Sequence, residues 1–280
     1  MKTYSLPPIP ALRSYVKNIW VVENTGGLSI ERMIPFGCVD LVYVEREYVT
    51  YQRHERSTFV QNELFLTGQV TAPYDFHYAA GAVLIGMGFY PHTAHLFTRI
   101  PSNELTDGVF PLHDLLIRHN WPEVEACTTM MVKIVALQSF VFRQIEGNAT
   151  NDQRTAYVQY LLQELFSKKG PEAFSQARQE LGISQRYAQL LFREYVGVSP
   201  SLYTKIIRFL AATKQPPKTG NSLTHFALDL GYYDQSHFIR DFKRFSGFTP
   251  RQYFRQPEKL IDQFTSNPTS SLLYNSIPAK

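Results

Sequence analysis

The period of the apolar residues changes partway along this chain. Over residues 1 to about 110 they come in short runs rich in β-branched and aromatic side chains: Ile30–Ile34, Val39–Val44, Phe59–Leu66 and Ala82–Phe89. Gly26-Gly27, Pro35, Gly37, Gly68 and Pro73 interrupt the runs, a pattern that predicts strands joined by turns. Strands this short and this closely spaced predict a sandwich or a small barrel. Further on, apolar residues recur every three to four positions. Val124, Met131, Ile134, Val135, Leu137, Phe142 and Ile145 form a broad apolar face, predicting a helix that Trp121-Pro122 opens and that runs to about Glu146. Gly147-Asn-Ala-Thr-Asn151 then predicts a hinge, and Asp152 to Lys168 a further helix.

Between about 173 and 254 one pattern occurs twice. The first copy reads Phe174…Leu181-Gly182-Ile183-Ser184…Phe192-Arg193…Gly197-Val198-Ser199-Pro200…Tyr203, and the second Leu223…Leu230-Gly231-Tyr232-Tyr233-Asp234…Phe242-Lys243…Gly247-Phe248-Thr249-Pro250…Tyr253. Such a repeat marks one supersecondary unit used twice. In the second copy Ser222 is placed to cap a helix carrying Leu223, Phe226, Ala227 and Leu230 on one stripe. Gly231 ends that helix, and Asp234 caps another on which Phe238, Phe242 and Phe245 share a face. Two helices joined by a tight Gly-containing turn are the arrangement that lays a second helix in the major groove of DNA.

The side chains left to face outward fit that use. On the second copy they include Gln235, Ser236, His237, Arg240, Lys243 and Arg244; on the first, Gln185, Arg186, Gln189 and Arg193. Gln and Arg make paired contacts to purine edges, and Lys and Arg hold phosphates. A helical hairpin with a solvated basic face is the plainer reading of either copy alone. Tandem copies with Gly, Phe and Pro at matched offsets argue against it.

The run from Leu230 to Tyr253 resembles the second helix-turn-helix of AraC/XylS-type transcription regulators in its spacing, its two turn glycines, its Asp-Gln-Ser helix start and its Gly-Phe-Thr-Pro end. The resemblance extends from roughly Asp152 to Gln256 and implies two units entering adjacent major-groove segments of double-stranded DNA, held by a connecting helix at Leu202 to Gln215. The first copy departs from the family pattern. Arg178 stands where Ala is usual, and Ala188 and Leu190 stand where Leu and Arg are usual, which implies a less conventional reader, or one that reads another sequence through Arg186. Pro35-Phe-Gly-Cys-Val-Asp-Leu-Val42, Gly88-Phe-Tyr-Pro-His and Pro101-Ser-Asn-Glu-Leu-Thr-Asp107 resemble stretches of the sensor domains of some members. They imply a cupin-like domain for a small-molecule effector, for dimer contact, or for both. In the family the helix after Trp121 often makes a homodimer contact; packing on the β domain is an equal alternative. Activation is the commoner role there, with RNA polymerase the implied partner.

Charge agrees. Residues 152–256 hold 15 Lys and Arg against 8 Asp and Glu, a net +7, whereas residues 1–151 hold 11 against 14, a net −3. The positive excess lies on the repeat, as nucleic-acid binding requires. Two distant cysteines, Cys38 and Cys127, with no Cys-x-x-Cys pair, predict neither a disulfide framework nor a zinc knuckle and suit a reduced cytoplasm, where the DNA-binding role that the resemblance implies would place the protein at the nucleoid. No signal peptide is read at Met1 to Pro10, and Ala79 to Tyr90 is too short to span a bilayer.

Catalysis finds little support. There is no His-x-His pair, no Gly-x-Ser-x-Gly elbow and no Gly-rich phosphate loop. His92 and His95, three apart, would need a third ligand from elsewhere to hold a metal, so neither metal nor cofactor is expected. Trp20, Phe36, Tyr43, Tyr48, Tyr51, Phe59, Phe65, Tyr74, Phe76, Tyr78, Phe89 and Tyr90 make the first domain unusually aromatic; most belong to the core, and a subset suits an effector pocket. The expected fold is thus α+β in two domains. A β-rich cupin-like barrel or sandwich with flanking helices occupies 1–120, a helical connector and hinge 121–151, an all-α reader with two helix-turn-helix units 152–256, and a mobile tail 257–280. The expected function is a sequence-specific DNA-binding transcription regulator. The alternatives are an enzyme, or a protein-interaction domain, fused to a degenerate helix-turn-helix module.

Overall fold

The computed structural model describes residues 1–52, 56–116, 124, 126–148, 153–168, 171–214 and 222–255. Trp121-Pro122, most of the expected hinge, Asp152, Gln215 and the tail lie outside the described residues.

The N-terminal part is two antiparallel sheets. One has the order β1 (Lys2–Leu6), β2 (Val16–Glu23), β9 (Val83–Phe89), β4 (Val39–Arg46), β7 (Leu64–Thr67), β10 (Val109–Pro111). The other has the order β3 (Ser29–Met33), β8 (Tyr74–Tyr78), β5 (Tyr48–Gln52), β6 (Arg56–Val60). Alternation sends Val42, Val44, Phe65 and Leu84 into the layer between the sheets with Val49, Tyr51, Phe59, Tyr74, Phe76 and Tyr78. Leu41, Tyr43, Leu66, Ile85 and Met87 point the opposite way, under helices. β4 and β9 are covered on both faces, which is why their sequences read as nearly continuous apolar runs, interrupted in β4 by Asp40 before the charged end at Glu45.

The run Phe59–Leu66 is not one strand. β6 ends at Val60 and β7 begins at Leu64, because Gln61-Asn62 turns the chain; Asn62 sits at φ 69°, a conformation Asn tolerates, and its Oδ1 accepts from the Tyr43 hydroxyl at 2.7 Å. Among the described residues, the short helices α1 (Ala94–Thr98), α2 (Ser102–Leu105) and α3 (Leu112–Leu115) follow β9. The connector helix α4 runs from Met130 to Asn148, so Gly147 is helical rather than the start of a hinge. Asn148 Nδ2 donates to Leu96 O at 2.8 Å and Arg99 Nη2 to Gly147 O at 3.1 Å, pinning this end to the β domain. Ile134, Leu137, Phe140, Val141 and Ile145 are buried there, whereas Met131 and Val135, expected on the apolar face, are exposed. Cys38 is buried and Cys127 half-buried, and neither is in a disulfide.

The C-terminal part comprises α5 (Gln153–Lys168), α6 (Pro171–Glu180), α7 (Gln185–Val196), α8 (Pro200–Lys214), α9 (Leu223–Asp229), α10 (Gln235–Ser246) and α11 (Pro250–Tyr253). It has two cores. Val158, Leu161, Leu162 and Leu165 of α5 close the first around Phe174, Leu191, Phe192 and Tyr195. The second holds Phe238, Phe242 and Phe245, all fully buried, each worth about 1.5–3 kcal/mol on apolar burial. Helix α8 gives Tyr203 and Ile207 to the first core and Ile206, Phe209 and Leu210 to the second. It is therefore a shared spine.

Candidate nucleic-acid interface

The two units share one frame. In the first, Ile183 N donates to Arg178 O and Gly182 N to Gln179 O, at 3.0 and 2.9 Å; in the second, Tyr232 N donates to Ala227 O and Gly231 N to Leu228 O, at 3.0 and 2.8 Å. This is the Schellman closure, which satisfies the last carbonyls of the first helix. Arg178 thus takes the backbone place of Ala227, and its guanidinium turns aside to Ser175 Oγ at 3.4 Å. Each second helix is 12 residues long. Its N-cap side chain, Ser184 Oγ or Asp234 Oδ1, accepts from the backbone N–H of Tyr187 or His237 at 3.2 or 2.6 Å. Gly197 at φ 91° and Gly247 at φ 80° close the two helices in the left-handed region, where a side chain is strained. The turns differ by one residue: Tyr233 is inserted before Asp234 and stands 88% exposed.

On α7, Gln185, Arg186, Gln189 and Arg193 are all exposed. On α10, Ser236, Arg240, Lys243 and Arg244 are exposed, and with Ile239 they line a shallow concavity on the outer face. Gln235 and His237 are half-buried and already engaged. Gln235 Oε1 accepts from Thr224 Oγ1 at 2.8 Å, and His237 Nε2 lies 3.3 Å from Asp241 Oδ2. Asp241 is buried and also receives Lys205 Nζ of α8 at 3.4 Å, tying the recognition helix to the spine. Burial and the Asp241 carboxylate push the neighbouring Tyr232 phenol well above its ordinary range. Sequence reasoning overlooked Tyr233, whose only signal was the longer second turn. Leu190, noted as a departure, is 58% exposed among the polar side chains of α7.

The N-terminal domain meets the ends of both recognition helices. At α7, Ser102 Oγ donates to Tyr195 O and Thr106 Oγ1 to Gly197 O, both at 2.8 Å, and the His95 ring lies 4.1 Å from that of Tyr195, tilted by 51°. At α10, Arg32, held by both its Nε and Nη2 on Asp75 at 2.8 and 3.0 Å, lies over the Phe248 ring at 5.5 Å beside Gly247. Ile34 and Phe36 join the second core, and the Tyr203 hydroxyl of α8 donates to Gly37 O at 3.2 Å. Nearby, Lys17 Nζ lies 3.2 Å from Cys38 Sγ. Burial raises the Asp40 carboxyl to about 6, against the opposing pull of Lys17, and burial lowers Lys214 to about 8. His92 is buried and pushed down to about 3, so it is neutral. Among the described residues no three His, Cys, Asp or Glu cluster as a metal site would require, and no helix is long and apolar enough to cross a membrane.

A family model described as a helix-turn-helix domain matches residues 178–256, and one described as a domain of unknown function (DUF6597) matches residues 4–111. The chain is 38% identical over 72 residues to the F1 operon positive regulatory protein of Yersinia pestis, which is 26% of this chain and 24% of that protein. It is 22% identical over 164 residues to the HTH-type transcriptional activator RhaS of Escherichia fergusonii, 52% of this chain and 58% of the relative. It thus spans 24% to 58% of the length of these curated relatives. Among solved structures, ToxT from Vibrio cholerae aligns at 13% identity and a TM-score of 0.42, over 81% of this chain and 95% of that one.

Proposed function

We propose that this chain, an AraC/XylS-type regulator, is a sequence-specific DNA-binding transcription regulator whose α7 and α10 read adjacent major-groove segments. The observation that carries this reading is the equivalence of the two helices. Each has the same length, a side-chain N-cap and a glycine C-cap at matching places and a fully buried apolar face, and each turns polar side chains to solvent. In this reading Gln185, Arg186, Gln189 and Arg193 form the first contact set, and Gln235, Ser236, His237, Arg240, Lys243 and Arg244 the second. Arg240 stands at the centre of its exposed face and is the strongest candidate for a paired contact to guanine. Arg193, Lys243 and Arg244, nearer the helix ends, suit phosphate anchoring.

Activation is the proposed sense of control, since two relatives carry a positive or activating role in their names, and RNA polymerase is then the partner contacted. Control enters through the N-terminal domain, by a small-molecule effector or by homodimer formation. Its grip on Gly197, Gly247 and α8 gives a physical route for either. The proposed setting is the bacterial nucleoid in the cytoplasm.

The test is selection of genomic fragments by the full-length protein at two salt concentrations. The expected result is a motif with two half-sites about ten base pairs apart and retention that falls steeply with salt. Retention without a motif, or none at low salt, refutes the sequence-reading role and favours an interaction module.

A further inference from the structure

We infer that Leu190 is a specificity-determining residue of the first unit and reads the 5-methyl group of a pyrimidine, thymine in unmodified DNA. The inference rests on the DNA-reading role proposed above. Its foundation is the shared frame. Counting from the N-caps Ser184 and Asp234, the eighth residues, Phe192 and Phe242, and the eleventh, Tyr195 and Phe245, are buried in both helices, and the glycine C-caps fall at the same place. The sixth residues are therefore equivalent, and they are Leu190 and Arg240. What the second unit presents as a guanidinium, the first presents as an isobutyl group.

That group belongs to neither core cluster and is 58% exposed. Arg186 and Arg193, four residues before and three after it, share its side of the helix, and Gln189 is its exposed neighbour. An apolar side chain set among basic ones has little to gain from water or from phosphate. In the major groove the apolar feature on a base edge is the C5 methyl of thymine, and cytosine carries the same group only when it is methylated. With Arg186 and Arg193 positioned for phosphates or for flanking bases, Leu190 is held where it would pack on such a methyl. It follows that the two half-sites differ. The first has a 5-methylpyrimidine where the second has the guanine read by Arg240.

The experiment uses the full chain and the duplex recovered by genomic selection. Each thymine of the first half-site is replaced in turn by deoxyuridine, which removes only the methyl, and affinity is measured for the wild-type protein and for Leu190→Ala. Because Leu190 is exposed, the variant keeps the fold, and a matched thermal melt verifies this. At one position the substitution weakens wild-type binding about fourfold, the effect of one methyl's burial, and Leu190→Ala binds thymine and uracil there alike. A second arm compares cytosine with 5-methylcytosine at each cytosine of the half-site. A methyl effect seen only in that arm, and lost in Leu190→Ala, supports the same contact with methylated cytosine as its source. If wild-type binding stays sequence-selective yet ignores every methyl, or if Leu190→Ala keeps the preference, this inference fails and the DNA-reading role stands. If sequence-selective binding is absent altogether, both fail.

Discussion

Gly197→Ala is expected to part the two domains at the end of the first recognition helix, and Gly182→Ala is its matched control. Both glycines have positive φ, 91° and 65°. Placing alanine in that region costs about 1 kcal/mol at either site. The surroundings differ. A Cβ on Gly182 meets nothing within 4 Å, whereas one on Gly197 falls 2.8 Å from Thr106 Oγ1 and 2.9 Å from Ser102 O. The threonine has room to rotate, but the Ser102 carbonyl is backbone. Relief requires α2 to move off α7, which breaks the Thr106–Gly197 and Ser102–Tyr195 hydrogen bonds at about 1 kcal/mol each. The total is about 3 kcal/mol against about 1 for the control. At roughly 2–4 °C per kcal/mol, the control loses about 3 °C in Tm and Gly197→Ala about 9 °C. Amide exchange adds a local readout: protection of residues 102–106 falls in Gly197→Ala and is unchanged in Gly182→Ala. Equal losses of stability, or unchanged exchange at 102–106 in Gly197→Ala, would refute the reasoning.

Other outcomes follow from the same geometry. Arg240→Ala is expected to weaken binding to the cognate site by about 1–3 kcal/mol and to relax one base position; unchanged affinity in a fluorescence titration removes Arg240 from the reader role. Asp234→Ala removes the cap on the His237 N–H and costs about 1 kcal/mol in urea unfolding, most of which Asp234→Asn restores; equal loss in both variants would contradict the capping account. Asp40 has a raised folded pKa of about 6, so the folded state binds more protons than the unfolded one between roughly pH 4 and 6, and stability falls as pH rises through that window. Asp40→Asn flattens this part of the stability profile; an unaltered slope assigns it to other groups.

The second helix-turn-helix was legible because its signals are local. Asp234, Gly247 and the three phenylalanines specify caps and a buried face within 14 residues of chain, and no distant contact is needed to interpret them. Leu190 stood out in the sequence only as a departure from the family pattern; its exposure belongs to the structure. His237 and Gln235 read as free contacts on a helical wheel, yet Asp241 and Thr224 hold them, because a wheel shows direction and not neighbours. In the N-terminal part the apolar runs of β4 and β9 announced strands, but the pairing of Val16 with Phe89 across the sheet is set by non-local contacts that no local pattern encodes. The run Ile30–Ile34 likewise anticipated β3 to within one residue, whereas the turn at Gln61-Asn62 was blurred because it is short and lies between two apolar segments. The interdomain contacts left no trace in the sequence, since Ser102, Thr106 and Ile34 are ordinary residues until the domains meet.

The docking of Ile34, Phe36 and Arg32 against the second unit bears on how the protein tolerates being divided. β3 is an edge strand of its sheet, and the residues that follow it are shielded by the reader. Excising residues after the connector would strip that shield, leaving an apolar rim beside a strand with unpaired backbone groups, the combination that promotes edge-to-edge aggregation. The β domain and the reader are therefore expected to be soluble together and poorly behaved apart, and ligand screens belong on the intact chain.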